Sequence, residues 1–278
     1  MNSQPWLSHF GLHRTPFSKS IPTDQLFLRP GLEQALARIH FCLQEGGIGC
    51  LVGDVGVGKT VAVRAVMEAL DPTQYQRIYV PDPGFGVRGV YVTLVSALGA
   101  QPRFHLAELI GQTQNLLAQE HLERHRQVLL CVDEAQTLTA AQLHVLRVLT
   151  SAELDSRSYL TLLLVGQPML AHRLRMGDFA SIDQRILTRY TLPPMDLSES
   201  ALYLKHHLAV AGRTQPLFTD DAVHRLHQAA NGLPRSLNTL ALNSLIAAHA
   251  DAKELIDEAC AKRAIAEFTR DNLNQPAN

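Results

Sequence analysis

One segment constrains the fold of this chain more than any other. The phosphate-binding loop pattern G-x-x-x-x-G-K-[ST] is matched by Gly53-Asp54-Val55-Gly56-Val57-Gly58-Lys59-Thr60. A short apolar run from Gly49 to Val52 precedes the loop and predicts a buried strand. Apolar residues then recur at helical spacing from Val61 to Leu70, which predicts a helix. A glycine-rich turn that precedes Lys-Thr by chance is the alternative, but such a turn requires neither the strand nor the helix.

The order strand, loop, helix is typical of a nucleoside-triphosphate site. Glycines let backbone N–H groups point at a phosphate, and the N-terminus of the following helix adds partial positive charge. We therefore expect the residues from Gly53 to Val61 to cradle the phosphates of ATP, with Lys59 reaching the terminal ones. The hydroxyl of Thr60 is expected to bind Mg²⁺.

A second strand candidate ends in two carboxylates. Val128 to Val132 is an unbroken apolar run, typical of a strand buried on both faces of a parallel sheet. Because ligands of such sheets collect at the carboxyl ends of the strands, we expect Asp133 to bind Mg²⁺ through water and Glu134 to polarise the attacking water. The alternative is that the pair merely caps the next helix, although Thr139 and Gln142 already match a capping box there.

Further strand candidates complete a predicted sheet. They are Tyr159 to Val165 and Ile78 to Val80. Gln167 follows the first and is expected to contact the γ-phosphate or the attacking water, but it could equally cap the helix that begins at Pro168. Strands alternate with helices near residues 31–44, 60–70, 88–98, 106–124 and 140–152. This alternation predicts an α/β fold with a P-loop doubly wound parallel sheet.

The strand pattern stops near Leu192-Pro193-Pro194-Met195, and helical patterns cover 197–210, 219–230, 233–250 and 254–268. We predict a nucleotide-binding domain over residues 1–195 that includes an N-terminal extension, a helical lid domain over 196–270 and a flexible tail over 271–278. Arg235 follows Gly232 in the first turn of a helix. Spacing alone leaves open whether Arg235 reports on the γ-phosphate or is an ordinary exposed arginine.

Composition limits the classes of protein to consider. The chain is 46% hydrophobic and 18% charged with a net charge of -1, which fits a globular protein without a global basic field. The four cysteines lack metal-ligand spacing and predict buried thiols in a reducing compartment. No apolar run approaches the roughly 20 residues that span a bilayer, and the N-terminus lacks a signal-peptide pattern. We therefore expect a cytoplasmic protein that is not inserted in a membrane.

An ordered set of motifs resembles one family, the AAA+ ATPases of the ExeA type. The set runs from about Phe10 to Ala250 and comprises Phe10-Gly11-Leu12 with Pro16-Phe17-Ser18, the phosphate loop, Val132 to Gln136, Leu164 to Leu170, Gln184-Arg185-Ile186 and Gly232 to Asn238. The resemblance implies a homo-oligomer, as a ring or a filament, with ATP at the subunit interfaces.

The resemblance also suggests roles for three arginines. Arg235 is similar to the lid-borne sensor arginine of the family. Arg185 or Arg189 is similar to the arginine finger, which stabilises charge on the γ-phosphate bound by a neighbouring subunit. For both finger candidates the alternative is a salt bridge to Asp178 or Asp183.

Within this family, short chains resemble the ATPases that accompany DNA transposases, whereas the secretion members have a membrane span and a cell-wall-binding region. We expect ATP to assemble subunits on duplex DNA, with a transposase or integrase as protein partner. Candidate DNA contacts are Pro83 to Arg88, Arg103, and His121 to Arg126, with a solvated surface as the alternative for each. Two other functions stay open: a secretion-type ATPase that energises a protein or cell-envelope partner without DNA, and a nucleotide switch with negligible turnover. Glu134 argues against the switch.

Overall fold

The computed structural model describes residues 5–18, 20–151 and 158–273. The chain divides into two compact units. The first unit, which we call the sheet unit, comprises Pro30–Val55 and Lys59–Leu192. The second, the helical unit, comprises the described residues up to Arg29, the stretch Gly56–Gly58 and the described residues from Pro193 onward.

Helices and strands alternate along the sheet unit and give way to helices in the last part of the chain. The strands are β1 Ile48–Val52, β2 Tyr75–Val80, β3 Gln127–Val132, β4 Leu160–Gly166 and β5 Ile186–Thr191. The helices are α1 Pro5–His9, α2 Pro30–Glu45, α3 Lys59–Ala69, α4 Val87–Ala97, α5 Leu106–Leu122, α6 Ala140–Leu149, α7 Pro168–Leu174, α8 Ala180–Asp183, α9 Leu197–Val210, α10 Asp220–Ala230, α11 Pro234–Ala250 and α12 Glu258–Leu273.

A parallel sheet forms the centre of the sheet unit. Within the described residues its strand order is β2-β3-β4-β1-β5, and every neighbouring pair is parallel. The inner strands β1 and β4 are buried along their whole length, which explains why their sequences are apolar throughout rather than alternating. The predicted α/β fold with a doubly wound parallel sheet is confirmed.

The apolar core of the sheet unit packs the strands against the flanking helices. Leu130 and Leu162 from the sheet meet Leu94 of α4 and Leu146 of α6 in this core. The capping box predicted before α6 is present, because Thr139 and Gln142 exchange both of its hydrogen bonds. Gln142 also donates to the carbonyl oxygens of Pro83 and Phe85, which holds the loop after β2 against the start of α6.

The helical unit has a separate core and includes the N-terminal residues. Leu204, Leu226 and Leu237 are buried in it together with Phe10 and Phe17. We predicted the N-terminal residues as an extension of the nucleotide-binding domain. They group instead with α9–α12, because their aromatic side chains bury there. The predicted tail also differs: α12 continues to Leu273, and 274–278 lie outside the described residues.

Two composition-based predictions concern cysteines and membrane spans. All four cysteines lie in the described part of the chain, and each is buried and free, as predicted. Burial raises the pKa of the Cys42 and Cys50 thiols to about 11, so the reactive thiolate is scarce at neutral pH. Among the helices that the structure describes, none is long and apolar enough to cross a bilayer.

Candidate nucleotide-binding site

The phosphate loop connects β1 to α3 in the conformation that an anion cradle needs. Gly56 and Gly58 have φ angles of 83° and 111°, a region that glycine enters without steric cost. Lys59 is 7% exposed as a residue, and its ammonium donates to the carbonyl oxygens of Gly53 at 2.8 Å and Asp54 at 3.0 Å. Because α3 begins at Lys59, the first-turn N–H groups that follow have no partner within the helix. The loop therefore fits the phosphates of a nucleotide.

A hydroxyl and a carboxylate converge beside this loop. The Thr60 hydroxyl donates to Oδ2 of Asp133 at 3.0 Å, while Oδ1 of Asp133 accepts the N–H of Glu134 at 2.9 Å. Asp133 is only 4% exposed. Magnesium prefers oxygen ligands of this kind and is commonly held through one or two carboxylates. The donor set predicted for Mg²⁺, Thr60 and Asp133, thus lies together and fits the ion.

Tyr79 is a third member of this cluster that sequence reasoning missed. Its hydroxyl donates to Oδ2 of Asp133 at 2.9 Å, the same oxygen that Thr60 contacts. Tyr79 lies opposite Cys131 in the β2–β3 register, so its strand ends beside Asp133. Burial raises the pKa of Tyr79, and the bond to Asp133 raises it further, so the phenol stays a donor at physiological pH. The sequence signal that could have revealed Tyr79 is a hydroxyl-bearing side chain near the end of the predicted strand from Ile78 to Val80.

Glu134 is held by a glutamine that also bonds the next strand end. Nε2 of Gln136 donates to Oε2 of Glu134 at 2.5 Å, and Oε1 of Gln136 accepts the N–H of Gln167 at 3.1 Å. A Cβ on Gly166 would lie 2.5 Å from that Oε1, so the bridge requires glycine there. Glu134 itself has a φ of 50°, in the left-handed region. Gln136 therefore connects the ends of β3 and β4 and orients the carboxylate predicted to activate water.

Gln167 follows β4, the strand beside β1. The N–H of Gly53 donates to the carbonyl of Gly166 at 3.2 Å, which brings this strand end against the start of the phosphate loop. Gln167 is the residue before α7, but its side chain makes no capping hydrogen bond. The capping alternative has no hydrogen bond to support it. A contact of Gln167 with the γ-phosphate stays a prediction.

Arg235 contacts the phosphate loop through its backbone. Its N–H donates to the carbonyl of Gly56 at 3.2 Å, and a Cβ on Gly56 would lie 2.8 Å from the Cβ of Arg235. The turn before α11 depends on Gly232, whose φ is 67° and where a Cβ would lie 2.1 Å from the carbonyl oxygen of Met195. The Arg235 side chain is exposed. Its sensor role stays a prediction.

Arg185 lies at the opposite end of β5 from the phosphate loop, whereas Arg189 lies within the strand, opposite Cys50 of β1. Ile186 pairs with Ile48 at the start of β1, whereas the loop follows Val52. The strand rise puts about 13 Å between these ends. Arg185 at the start of β5 is thus remote from the loop of its own chain, as an arginine offered to a neighbour requires.

Both arginines have partners within the sheet unit. Arg189 forms the alternative ion pair with Asp183 at 2.7 Å, and Nη1 of Arg185 donates to the Ser151 hydroxyl at 2.5 Å. The side chain of Asp178 lies outside the described residues. The finger role stays a prediction for both arginines.

The two predicted DNA segments differ in their surroundings. Arg124 and Arg126 both form ion pairs with Glu120, whose side chain is 2% exposed. These ion pairs offset part of the positive charge that the two arginines could offer to DNA. Arg88 and Arg103 come together, since Nη2 of Arg88 donates to the carbonyl oxygen of Arg103 at 3.2 Å. Arg103 is exposed and is the better candidate for an external contact, whereas Arg88 holds the backbone of Arg103.

Comparison with known proteins identifies the family. Residues 42–174 match the family model described as AAA domain. General secretion pathway protein A of Aeromonas hydrophila is 34% identical over 250 residues, which are 87% of this chain and 44% of that protein. The chain belongs to the AAA+ ATPases of the ExeA type. It spans less than half the length of this relative.

Solved structures share the fold of this ExeA-type chain at low identity. The Aeropyrum pernix ORC2 protein in ADPNP-ADP complexes has a TM-score of 0.67 at 18% identity, covering 94% of this chain and 74% of that one. Drosophila ORC bound to DNA has a TM-score of 0.67 at 20% identity, covering 97% and 68%. The Thermotoga maritima RuvB Holliday junction branch migration motor has a TM-score of 0.57 at 16% identity, covering 91% and 72%.

Proposed function

We propose that this chain hydrolyses ATP with Mg²⁺ at subunit interfaces and assembles on duplex DNA as an accessory of DNA transposition. The hydrolase part rests on one observation. The Thr60–Asp133 pair and the Glu134–Gln136 pair lie together beside a phosphate loop whose lysine is buried. A protein that only binds nucleotide has no need for an oriented, water-activating carboxylate.

Each residue of the site has a separate task in the proposed reaction. The loop N–H groups and Lys59 bind the β- and γ-phosphates. Thr60 and Asp133 would hold Mg²⁺, which neutralises charge on the phosphate oxygens. Glu134 accepts a proton as water attacks the γ-phosphorus, and the bond to the bridging oxygen breaks to release ADP. The neighbour's Arg185 or Arg189 is proposed to stabilise charge on the transferred group, with Gln167 and Arg235 contacting the γ-phosphate.

The DNA part of the proposal rests on a local charge pattern and on relatives of the same fold. The residues from Pro83 to Ala107 contain Arg88, Arg103 and His105 but no Asp or Glu, in a chain whose net charge is -1. Because Asp82 and Glu108 border this segment, its support for contact with a polyanion is the exposed Arg103 beside Phe104 and not a net positive charge of the segment. The shared fold includes Drosophila ORC bound to DNA, although that likeness extends to the fold alone. A homo-oligomer and a transposase or integrase partner belong to the same proposal, as does a cytoplasmic location.

A second function is favoured by a specific finding, the 34% identity to General secretion pathway protein A. In that case ATP turnover would energise a protein or cell-envelope partner and would not respond to DNA.

One experiment separates the two functions. ATP turnover and sedimentation are measured together, with and without duplex DNA, at low and at high salt. The DNA proposal predicts turnover stimulated by DNA and large assemblies that need ATP, both lost at high salt. Turnover and assembly that are indifferent to DNA would refute the transposition proposal and favour the secretion-type function.

A further inference from the structure

The loop between α4 and α5 presents an aromatic ring to solvent. Phe104 is 83% exposed, more than any other large apolar side chain in the described residues, and Leu106 beside it is 42% exposed. Exposure of a complete phenylalanine ring costs free energy that burial against a ligand would recover. Arg103 and His105 flank the ring, and both are exposed.

This exposed loop is braced rather than loose. Nη2 of Arg88 donates to the carbonyl oxygens of Arg103 at 3.2 Å and Phe104 at 3.3 Å. Gln112 accepts the N–H of Arg103 at 2.9 Å and donates to the carbonyl of Gln101 at 2.8 Å. Four hydrogen bonds therefore hold the backbone on both sides of the ring. A surface that is fixed before binding loses little conformational entropy when it binds.

The position of the brace relates the loop to the nucleotide site. Arg88 is the second residue of α4, which follows the loop after the carboxyl end of β2. The phosphate loop follows β1, three strands away in the order β2-β3-β4-β1. At the usual strand spacing this separation is about 14 Å. The Phe104 loop thus lies near the same sheet edge as the nucleotide site without taking part in it.

The charge around the ring favours one class of partner. The two residues that directly flank the ring, Arg103 and His105, are both basic, and the nearest carboxylate that follows them is Glu108 in the first turn of α5. Apolar side chains inserted into a minor groove and arginines on the adjacent phosphates are a recurring mode of sequence-independent duplex binding.

We infer that the segment from Arg103 to His105 is a duplex-DNA contact in which Phe104 inserts into the minor groove and Arg103 binds an adjacent phosphate. This inference rests on the proposed function. Arg88 and Gln112 are positioning residues, because they hold the loop backbone and act on the DNA only through it.

Two substitutions separate the apolar contact from the ionic one. Affinity for a fluorescently labelled duplex is measured by anisotropy over a salt series, with a non-hydrolysable ATP analogue present. Phe104→Ala is expected to weaken binding by about tenfold with the salt dependence unchanged. Arg103→Ala is expected to weaken binding and to reduce the slope of log affinity against log salt by about 1.

Matched controls and nucleotide binding identify which part of the reasoning fails. Leu202→Ala and Lys205→Ala remove an exposed apolar and an exposed basic side chain from α9 and should leave the affinity for DNA unchanged. Affinity for a fluorescent ATP analogue should be the same in all variants. If the wild type binds DNA and both loop variants bind equally well, the inference is wrong while the proposed function stands. If the wild type binds ATP and no DNA, the proposed DNA function fails and the inference fails with it.

Discussion

Replacing Gln136 should slow ATP hydrolysis without weakening ATP binding. The Gln136→Ala change removes the hydrogen bond to Oε2 of Glu134 and the one to the N–H of Gln167. A hydrogen bond to a charged group contributes about 1.5–3 kcal/mol. If Gln136 stabilises the transition state by orienting the Glu134 carboxylate, its loss lowers kcat by about ten- to a hundredfold, at roughly 1.4 kcal/mol per tenfold. KM for ATP should change much less, because the phosphate loop is untouched.

Steady-state phosphate release over a range of ATP concentrations measures both constants. Gln114→Ala, an exposed glutamine of α5, is the matched control and should behave as the wild type. Gly166→Ala should resemble Gln136→Ala, because its new Cβ would occupy the space of Oε1 of Gln136. In a Glu134→Gln background, Gln136→Ala should cause little further loss, since the two residues act as a unit. A Gln136→Ala enzyme that folds normally and keeps kcat within twofold would refute the assignment.

Three further predictions concern other parts of the structure. Tyr79→Phe removes one hydrogen bond from Asp133 and should raise the Mg²⁺ concentration for half-maximal turnover by about tenfold, as a Mg²⁺ titration would show. His207, whose pKa burial and nearby basic groups lower to about 4 from 6.5, binds a proton more weakly when folded. The unfolded state binds this proton more tightly, so His207 lowers the free energy of unfolding by nothing above pH 6.5 and by more as the pH falls toward 4. His207→Phe should therefore restore up to about 3 kcal/mol of the free energy of unfolding at acid pH, as denaturant titrations would show. Gly232→Ala should lower the free energy of unfolding by about 1–3 kcal/mol or more, because its Cβ would meet the backbone of Met195. Gly111→Ala, in open space on a helix, is the control and should not lower it. Thermal denaturation of both variants measures the two effects.

The parts of the site that sequence could predict are those with local signals. The phosphate loop is a continuous segment, and Asp133 and Glu134 directly follow an apolar strand. The capping box of α6 is likewise a pattern of four consecutive residues. Each signal lies within one turn or one strand end, so it needs no knowledge of the strand order.

The parts that sequence could not predict join residues far apart in the chain. Tyr79 reaches Asp133 only because β2 is the neighbour of β3, which periodicity does not reveal. The bridge from Gln136 to Gln167 depends in the same way on β3 lying beside β4. The grouping of the N-terminal residues with α9–α12 depends on Phe10 and the other N-terminal apolar residues finding a core that forms late in the chain.

Trapping of ATP by a single variant is the decisive measurement for the hydrolase site. Wild-type protein and Glu134→Gln are each mixed with radiolabelled ATP and Mg²⁺, and bound ATP and ADP are separated and counted over time. The proposed role of Glu134 predicts that the wild type releases phosphate and accumulates ADP, while the variant binds ATP with similar affinity and retains it unhydrolysed. Equal turnover in the two proteins would show that Glu134 does not activate the attacking water.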